Sequence, residues 1–374
     1  MGTLTYIIWN GSPEIFSYGS FSLRWYGLFF ALGFLISQQF MYHFYKSERK
    51  PEKDVDTLTI YMVIATIIGA RLGHVIFYQP EIIWENPLSI FLPFEFNPFR
   101  FTGLQGLASH GATIGILFAL WLYSRKNKPG QTFLQVVDRI VIVVALTGAL
   151  IRLGNYFNSE IIGLPTDKPW GVVFTSKFTD AVKSERFDQE GIVESVVIKH
   201  NDSIPQGPNG RIPLNIYLFF KAGTDATQAK NFTDYSARNL LSNNLEEYFD
   251  ASDDNTTTNG TLQDDGKFAS RITTFGIARH PAQLYESISC VFLFLFLFWI
   301  WSRFKEKLPA GRLLGIFLIV CFGLRFLFEF VKENQEPFED SMVLNMGQIL
   351  SIPLVIAGIV ILALSYRKKE PGKL

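Results

Sequence analysis

The stretch ARHPAQLYES, Ala278 to Ser287, runs without a break into ISCVFLFLFLFWIW, Ile288 to Trp301. Arginine, histidine, glutamine, tyrosine and glutamate are bunched at one end of a run that is otherwise hydrocarbon, whereas a soluble helix would spread them along one face. A run of this length spans a bilayer core of about 30 Å, which needs roughly 20 helical residues. The polar cluster therefore sits at the lip of a membrane span. Working outward from it, the rest of the chain shows the same habit.

The chain has 374 residues, 48% of them hydrophobic and 36 of them phenylalanine, which is the composition of an integral membrane protein. Its formal net charge is zero, so no bulk field recruits nucleic acid. Only two cysteines occur, Cys290 and Cys321, both inside apolar runs, which speaks against a disulfide framework. The first 22 residues hold no Lys or Arg, so the charged start of a secretory signal is absent. No HExxH or GxSxG motif occurs, and the five histidines, His43, His74, His110, His200 and His280, are scattered. Neither a metal nor another cofactor is expected.

Hydropathy predicts an all-α polytopic membrane protein with seven transmembrane helices: Leu23 to Tyr42, Thr57 to Tyr78, Leu104 to Tyr123, Phe133 to Arg152, Gln283 to Arg303, Arg312 to Val331 and Val343 to Tyr366. Cations gather after spans one, three, five and seven: Lys46, Arg49, Lys50 and Lys53; Arg125, Lys126 and Lys128; the RFKEK segment; and the tail YRKKEPGK. The alternate short segments hold only Arg100 and Lys332. By the positive-inside rule the N-terminus lies outside and the C-terminus inside. The long segment between spans four and five is then extracytoplasmic. The chain divides into 1–174, spans one to four with the start of an outer head; 175–274, an extracytoplasmic α+β insertion; and 275–374, spans five to seven with a cytoplasmic tail.

On this topology the polar residues of the spans converge on the outer leaflet: Arg24 and Tyr26, Arg71 and His74, His110, Arg152, Asn155, Asn158 and Glu160, Arg279, His280, Gln283, Tyr285 and Glu286, and Arg325 and Glu329. Asp138 and Arg139 are the exceptions, near the inner end of span four. An ionisable group within a span costs on the order of 3 kcal/mol, so a one-sided cluster of this size marks a site. Each member alone has a plainer reading. Arg24 or Tyr285 can snorkel to headgroups, Arg325 and Glu329 can be a structural i, i+4 ion pair, and Arg279, Gln283 and Glu286, taken to share a helix face, can be glue between helices. Their joint placement favours a cavity. Several arginines in a poorly hydrated pocket suit a phosphate, whose oxygens the guanidinium fork matches, and this points to a phospholipid headgroup.

The segments LRWYGLFFALGF (Leu23), GARLGHVIFY (Gly69), SHGATIG (Ser109), RLGNYFNSEIIG (Arg152), RHPAQLYES (Arg279) and GLRFLFEF (Gly323) together resemble, in order and spacing, the bacterial prolipoprotein diacylglyceryl transferase family. The resemblance implies a multi-pass protein of the bacterial inner membrane with its active site toward the outer leaflet. It implies transfer of the diacylglyceryl group of phosphatidylglycerol to the lipobox cysteine thiol in the signal peptide of a preprolipoprotein, with release of glycerol 1-phosphate. Arg152 and Arg325 match the family arginines that hold the headgroup, and Tyr26, Asn155, Glu160, Gly163 and Glu329 match further positions on which the family relies. His110 matches the histidine of its HGG motif, a candidate base for the thiol. His110, Arg152, Arg325 and Tyr26 are thus the expected catalytic residues, with Asn155, Glu160, Gly163, Arg71, Arg279, Gln283, Glu286 and Glu329 expected to bind substrate. The chain departs from the pattern at Arg24, Ala112, Ile151 and Ser159, none of which removes a charged group.

The segment 175–274 fits the family least. It carries 10 Lys and Arg against 15 Asp and Glu, two strand-like runs, ESVVIKHN and PLNIYLFFKAG, and the Asn, Asp and Thr-rich DASDDNTTTNGTLQDD, which reads as a flexible loop. Two other classes stay open. A transporter needs polar residues reaching both faces, against which the apolar inner halves argue; a non-catalytic outer-leaflet lipid-binding protein would keep the arginines without needing His110 or Asn155.

Overall fold

The computed structural model describes residues 6–18, 21–85, 87–90, 94–96, 99–101, 108–126, 128–184, 187–252, 256–262, 267–334 and 337–367. In chain order the strands and helices are β1 (Ile7–Trp9), β2 (Glu14–Tyr18), β3 (Phe21–Arg24), α1 (Trp25–Ser47), α2 (Lys53–Tyr78), α3 (Ile82–Glu85), β4 (Phe94–Phe96), β5 (Phe99–Phe101), α4 (Ser109–Ser124) and α5 (Phe133–Phe157). They continue as β6 (Val172–Phe174), α6 (Ser176–Val182), β7 (Val193–His200), β8 (Arg211–Phe220), α7 (Ala226–Asn231), a π-helical turn Phe232–Ala237, α8 (Arg238–Asn243), β9 (Phe249–Asp250), β10 (Thr257–Leu262), β11 (Phe268–Arg279), α9 (Ala282–Phe304), α10 (Arg312–Phe328) and α11 (Met346–Arg367). Two compact units result. The first holds Met1–Leu32, Ala149–Ser289 and Leu324–Leu350; the second holds Gly33–Gly148, Cys290–Gly323 and Ser351–Leu374.

Among the described residues five helical segments are long and apolar enough to cross a membrane: Lys53–Tyr78, Phe133–Phe157, Ala282–Lys307, Arg312–Val331 and Met346–Arg367. The protein is a membrane-embedded, multi-pass, mostly helical chain. Their exposed sides carry apolar stripes at helical spacing, Ile60, Ile64 and Ile67 on α2, Phe292, Phe296 and Trp299 on α9, and Ile352, Ile356 and Ile359 on α11. Such stripes face lipid, while Leu293, Leu297 and Trp301 of α9 are buried in protein. The other two expected spans fall short. Helix α1 is 23 residues long but is diluted by Gln38, Gln39 and His43. Helix α4 has 16 residues from Ser109, and the expected start of that span at Leu104 lies outside the described residues.

Within the second unit α2 and α4 approach at backbone distance. A Cβ at Gly111 would lie 2.3 Å from the Gly69 carbonyl oxygen and 2.6 Å from Gly73 Cα, and one at Gly115 2.7 Å from the Ala65 carbonyl oxygen. Two glycines four residues apart on each helix permit this contact. Asp138 and Arg139 also have a packing reason. The Arg139 Nε donates to Glu48 (2.9 Å), which also accepts from Trp301 Nε1 (2.7 Å) and Lys50 Nζ (2.7 Å). The Asp138 carboxylate accepts the backbone N–H groups of Gly311 (2.7 Å) and Leu314 (2.8 Å), satisfying the start of α10.

The first unit contains a seven-stranded sheet in the order β1-β6-β11-β8-β7, with β9 and β10 also paired to β11. Strand β11 is its spine. Along one edge it meets β10, β9 and β6 in succession (Thr257↔Thr273, Phe249↔Gly276, Val173↔Ala278), and along the other β8 (Ile216↔Ile272). Alternate β8 residues Ile212, Leu214, Ile216, Leu218 and Phe220 are fully buried, against Phe178, Leu241 and Phe249 among others. Strands β7 and β8 coincide with the two runs read as strands.

Three expectations are corrected. Strand structure is not confined to the segment between spans four and five: β1 pairs in parallel with β6, and β2 and β3 form a hairpin ahead of α1. The run expected as a flexible loop supplies β10, because Thr257–Leu262 registers residue for residue on Leu262↔Phe268 through Thr257↔Thr273 and β-branched threonines suit that edge. Arg279 belongs to β11 rather than to the helix, since Pro281 ends strand pairing and stands at the entry to α9. It therefore shares no helix face with Gln283 and Glu286.

Candidate active site

The first unit brings together most of the expected residues around the ends of α5, α9 and α10. Arg152, in the penultimate turn of α5, pairs through Nε with Glu286 of α9, and its side chain is 22% exposed. Gly154, two residues on, faces α1: a Cβ there would lie 3.0 Å from Tyr26 Cα and 3.1 Å from its ring, so this glycine lets the half-buried Tyr26 approach Arg152's helix.

Beyond α5 the chain turns sharply. Ser159 (φ 52°) and Ile161 (φ 57°) both take left-handed backbone conformations, which cost free energy in non-glycine residues and are held by their surroundings. The Ser159 hydroxyl bonds Ser176 (2.7 Å), its carbonyl accepts from Tyr248 (3.0 Å), and the Glu160 carbonyl accepts from the Gln283 amide. Glu160 itself is exposed. Gly163 then slots between two other segments: its N–H donates to the His280 carbonyl (3.0 Å), Leu164 N–H to that of Val331 (2.9 Å), and His280 N–H to that of Leu164 (3.0 Å). A Cβ at Gly163 would meet the His280 carbonyl at 2.5 Å and that of Val331 at 2.7 Å, so only glycine fits.

Arg279 locks this junction. Its Nη1 donates to the Gly163 carbonyl (3.0 Å), its Nε to that of Glu247 (2.6 Å), and it pairs with Glu333. Burial pulls the Arg279 pKa down and pushes the Glu333 carboxyl up, each shift opposed by the partner's charge. At 4% side-chain exposure this guanidinium is directed inward, unlike Arg152. Next to it, Trp170 Nε1 donates to the Tyr285 hydroxyl (2.8 Å), which lies 3.0 Å from His280 Nδ1. Burial, helped by the Lys168 charge, lowers the His280 pKa and favours the neutral ring.

Arg325 on α10 lies 3.7 Å from Glu329 and its side chain is 41% exposed. The buried Glu329 carboxylate is held more closely by Lys332 Nζ (2.9 Å) and Asn345 Nδ2 (3.0 Å), and Gly347 leaves it room, since a Cβ there would lie 2.5 Å from Oε1. Lys332, Asn345 and Gly347 were not foreseen. The signal for Asn345 was present in NMGQ: Asn345 and Gln348 exchange backbone bonds (2.9 and 3.1 Å) as a capping box at the start of α11. Glu329, Lys332 and Asn345 line a cleft of about 230 Å³ with Leu164, Met342 and Val343.

His110 and Arg71 belong to the second unit. His110 is exposed in the first turn of α4, its ring edge-on to Phe77 (5.1 Å) and near Tyr78 (6.1 Å). The Ala108 N–H to Ala70 carbonyl bond (2.9 Å) and the glycine contact fix that turn on α2. Arg71 is buried, its Nε donating to the Ile90 carbonyl (3.0 Å). Among the described residues no group of His, Cys, Asp and Glu could hold a metal ion.

Lipid-facing helices whose ends carry the ion pairs Arg152–Glu286 and Arg325–Glu329 define a multi-pass membrane protein with charged groups gathered at helix ends. Comparison with known sequences makes this particular: the profile of the prolipoprotein diacylglyceryl transferase family matches residues 13–364, and the chain belongs to that family. Proteins named phosphatidylglycerol–prolipoprotein diacylglyceryl transferase are similar along nearly their whole length. The one from Bacteroides fragilis is 32% identical, covering 97% of this chain and 97% of the relative. That from Chloroherpeton thalassium is 32% identical over 100% and 99%, and that from Tolumonas auensis 31% over 97% and 99%.

Proposed function

We propose that this protein transfers the diacylglyceryl group of phosphatidylglycerol to the thiol of a lipobox cysteine in a preprolipoprotein. The observation that carries the reading is the pair Arg152 and Arg325, each beside a carboxylate and still partly exposed, in a chain of this family. In the reaction the cysteine sulfur attacks the glyceryl methylene that bears the phosphate. The C–S bond forms as the C–O bond breaks, the bonding pair stays on the phosphate oxygen, and glycerol 1-phosphate departs. The phosphate passes from one negative charge toward two, so guanidinium groups on its oxygens stabilise the transition state more than the bound lipid.

The thiol must lose its proton. His110 is the proposed acceptor, and its place in the first turn of α4 favours a thiolate through the helix N-terminal dipole. Tyr26, Asn155 and Glu160 are proposed to contact the headgroup region, with Glu286 setting Arg152 and Gln283 holding the Glu160 backbone. Gly163 and Arg279 are proposed to frame the site, and Arg71 to anchor the segment at Ile90. The protein is placed in the bacterial inner membrane with seven spans, N-terminus outside, and residues 175–274 and the site on the outer side. The loop cations support that orientation, and the 23 residues of α1 reach about 34 Å at a rise of about 1.5 Å per residue.

The test is to incubate purified protein with phosphatidylglycerol and a lipobox peptide and to seek a diacylglyceryl thioether by mass spectrometry, with stoichiometric glycerol 1-phosphate. Bound lipid without adduct would instead favour a non-catalytic lipid-binding protein.

A further inference from the structure

Among the described strands of the large sheet, β1, β7, β9 and β10 each have a strand partner on one side only. Natural sheets blunt such edges with short strands, bulges or charges. Strand β1 has three residues and β9 two. Strand β7 carries the exposed Glu194 and Lys199 and a bulge between Val193 and Ser195. Strand β10 has none of these devices. Its six residues, Thr257–Leu262, include no charge and no proline and run in unbroken register on β11. Among the described residues they make no backbone hydrogen bond outside that ladder, and Thr257, Asn259, Gly260 and Thr261 are exposed. A cleft of about 360 Å³ opens beside this edge, walled by Thr258, Asn259 and Ser270 of the sheet and by Lys230, Thr233 and Asp234. Thr233 and Asp234 belong to the π-helical turn, a local widening frequent at functional sites, and the Thr258 hydroxyl donates to Asp234 (2.5 Å).

The edge is tied to the site through β11. That strand ends at Arg279, whose guanidinium holds the Gly163 junction, while its first half bears β10. At about 3.4 Å per residue, β10 begins about 20 Å and ends about 37 Å from Arg279 along β11. An extended polypeptide covers that distance in roughly six to eleven residues. A chain leaving the site in this direction would run parallel to β10, the relation that β1 already has to β6 in the same sheet. The acceptor of the reaction is such a chain, because a preprolipoprotein continues beyond its lipobox cysteine on the side where residues 175–274 are placed. Resting on the proposed transfer reaction, we infer that the free edge of β10 docks, as an added strand, the polypeptide that follows the lipobox cysteine, with the cleft taking one of its side chains. Main-chain hydrogen bonds hold an extended peptide whatever its side chains, and a neighbouring pocket adds preference at one of them.

The experiment measures transfer from phosphatidylglycerol in mixed micelles to two lipobox peptides, one ending about three residues after the cysteine and one continuing for about sixteen. The long peptide should show a KM roughly tenfold lower or better at similar kcat, each main-chain bond being worth roughly a factor of two to ten. N-methylating the sixth to eleventh residues after the cysteine removes their N–H donors and leaves every side chain. This should return KM to the short-peptide value, whereas N-methylating the last four residues should not. On the protein, Thr261→benzoylphenylalanine should cross-link the long peptide within the same stretch on irradiation. Equal KM for the two peptides, or a KM indifferent to the methylation, would overturn the docking edge. A cross-link to a second copy of the chain in place of the peptide would overturn it too. Absence of any adduct from either peptide would overturn the transfer reaction and the role of the edge with it.

Discussion

Gly163→Ala isolates how much the site depends on the junction of three backbone segments. The added methyl would sit 2.5 Å from the His280 carbonyl oxygen and 2.7 Å from that of Val331, where ordinary contact begins at 3.4 Å, so one segment must retreat by about 0.9 Å. Both obstacles are backbone, and no side-chain rotation relieves them. The bonds Gly163 N–H to His280 (3.0 Å), Leu164 N–H to Val331 (2.9 Å) and Arg279 Nη1 to Gly163 (3.0 Å) would stretch beyond useful length. At about 1 kcal/mol each, two or three weakened bonds cost roughly 2–3 kcal/mol, in line with the penalty for overpacking. The same retreat moves the turn at Ser159–Glu160 against α9, and a misplacement near 1 Å costs on the order of 100-fold in rate. Thioether formation by the purified variant should therefore fall about 30- to 100-fold, with a lowered melting temperature. Gly27→Ala is the control, since a Cβ there meets nothing within 4 Å. A Gly163→Ala protein with parental rate and melting temperature would refute the wedge.

Arg152→Lys and Arg325→Lys keep the charge but lose the planar fork, so each should slow transfer roughly tenfold or more; near-parental rates in both would remove the phosphate clamp. In intact cells a cysteine at Ala222, exposed in the turn after β8, should react with an impermeant thiol reagent, whereas one at Lys128 should not; the opposite pattern inverts the topology. His110→Gln should slow transfer most at low pH and recover as pH rises toward the thiol's own pKa of about 8.5, where the thiolate forms unaided. A pH profile parallel to the parent's would exclude the base role.

The membrane class was legible because apolar runs need no tertiary context, and the motifs were legible because Arg152, Asn155 and Glu160 crowd within nine residues. What escaped depended on partners distant in sequence. Ile7–Trp9 is a strand only because Val172–Phe174 lies beside it, and Thr257–Leu262 only because β11 offers a free edge. Arg279 read as one more headgroup arginine, yet Gly163, Glu247 and Glu333 engage it, and no spacing rule joins those four positions. Lys332 looked like a stray loop cation until Glu329 was found beneath it. Helix α1 misses the apolarity of a span because Gln38 and Gln39 interrupt it, although its length suffices.

The buried carboxylate of Glu48 bears on how the chain is made. It bonds Arg139, 91 residues later, and Trp301, 253 residues later, with Trp301 also packed on Phe44 at 4.4 Å. A nascent chain meets the first partner well before the second is synthesised. Lys50, two residues on, can pair with Glu48 from the start, and since stripping a buried ion of a partner costs about 3–5 kcal/mol, the full set of donors is complete only after Arg139 and then α9 have followed. Biogenesis thus has a built-in order, with the first helix provisional until the fifth expected span arrives. A chain released before Trp301 would lack one of the three donors that this buried carboxylate holds in the finished protein.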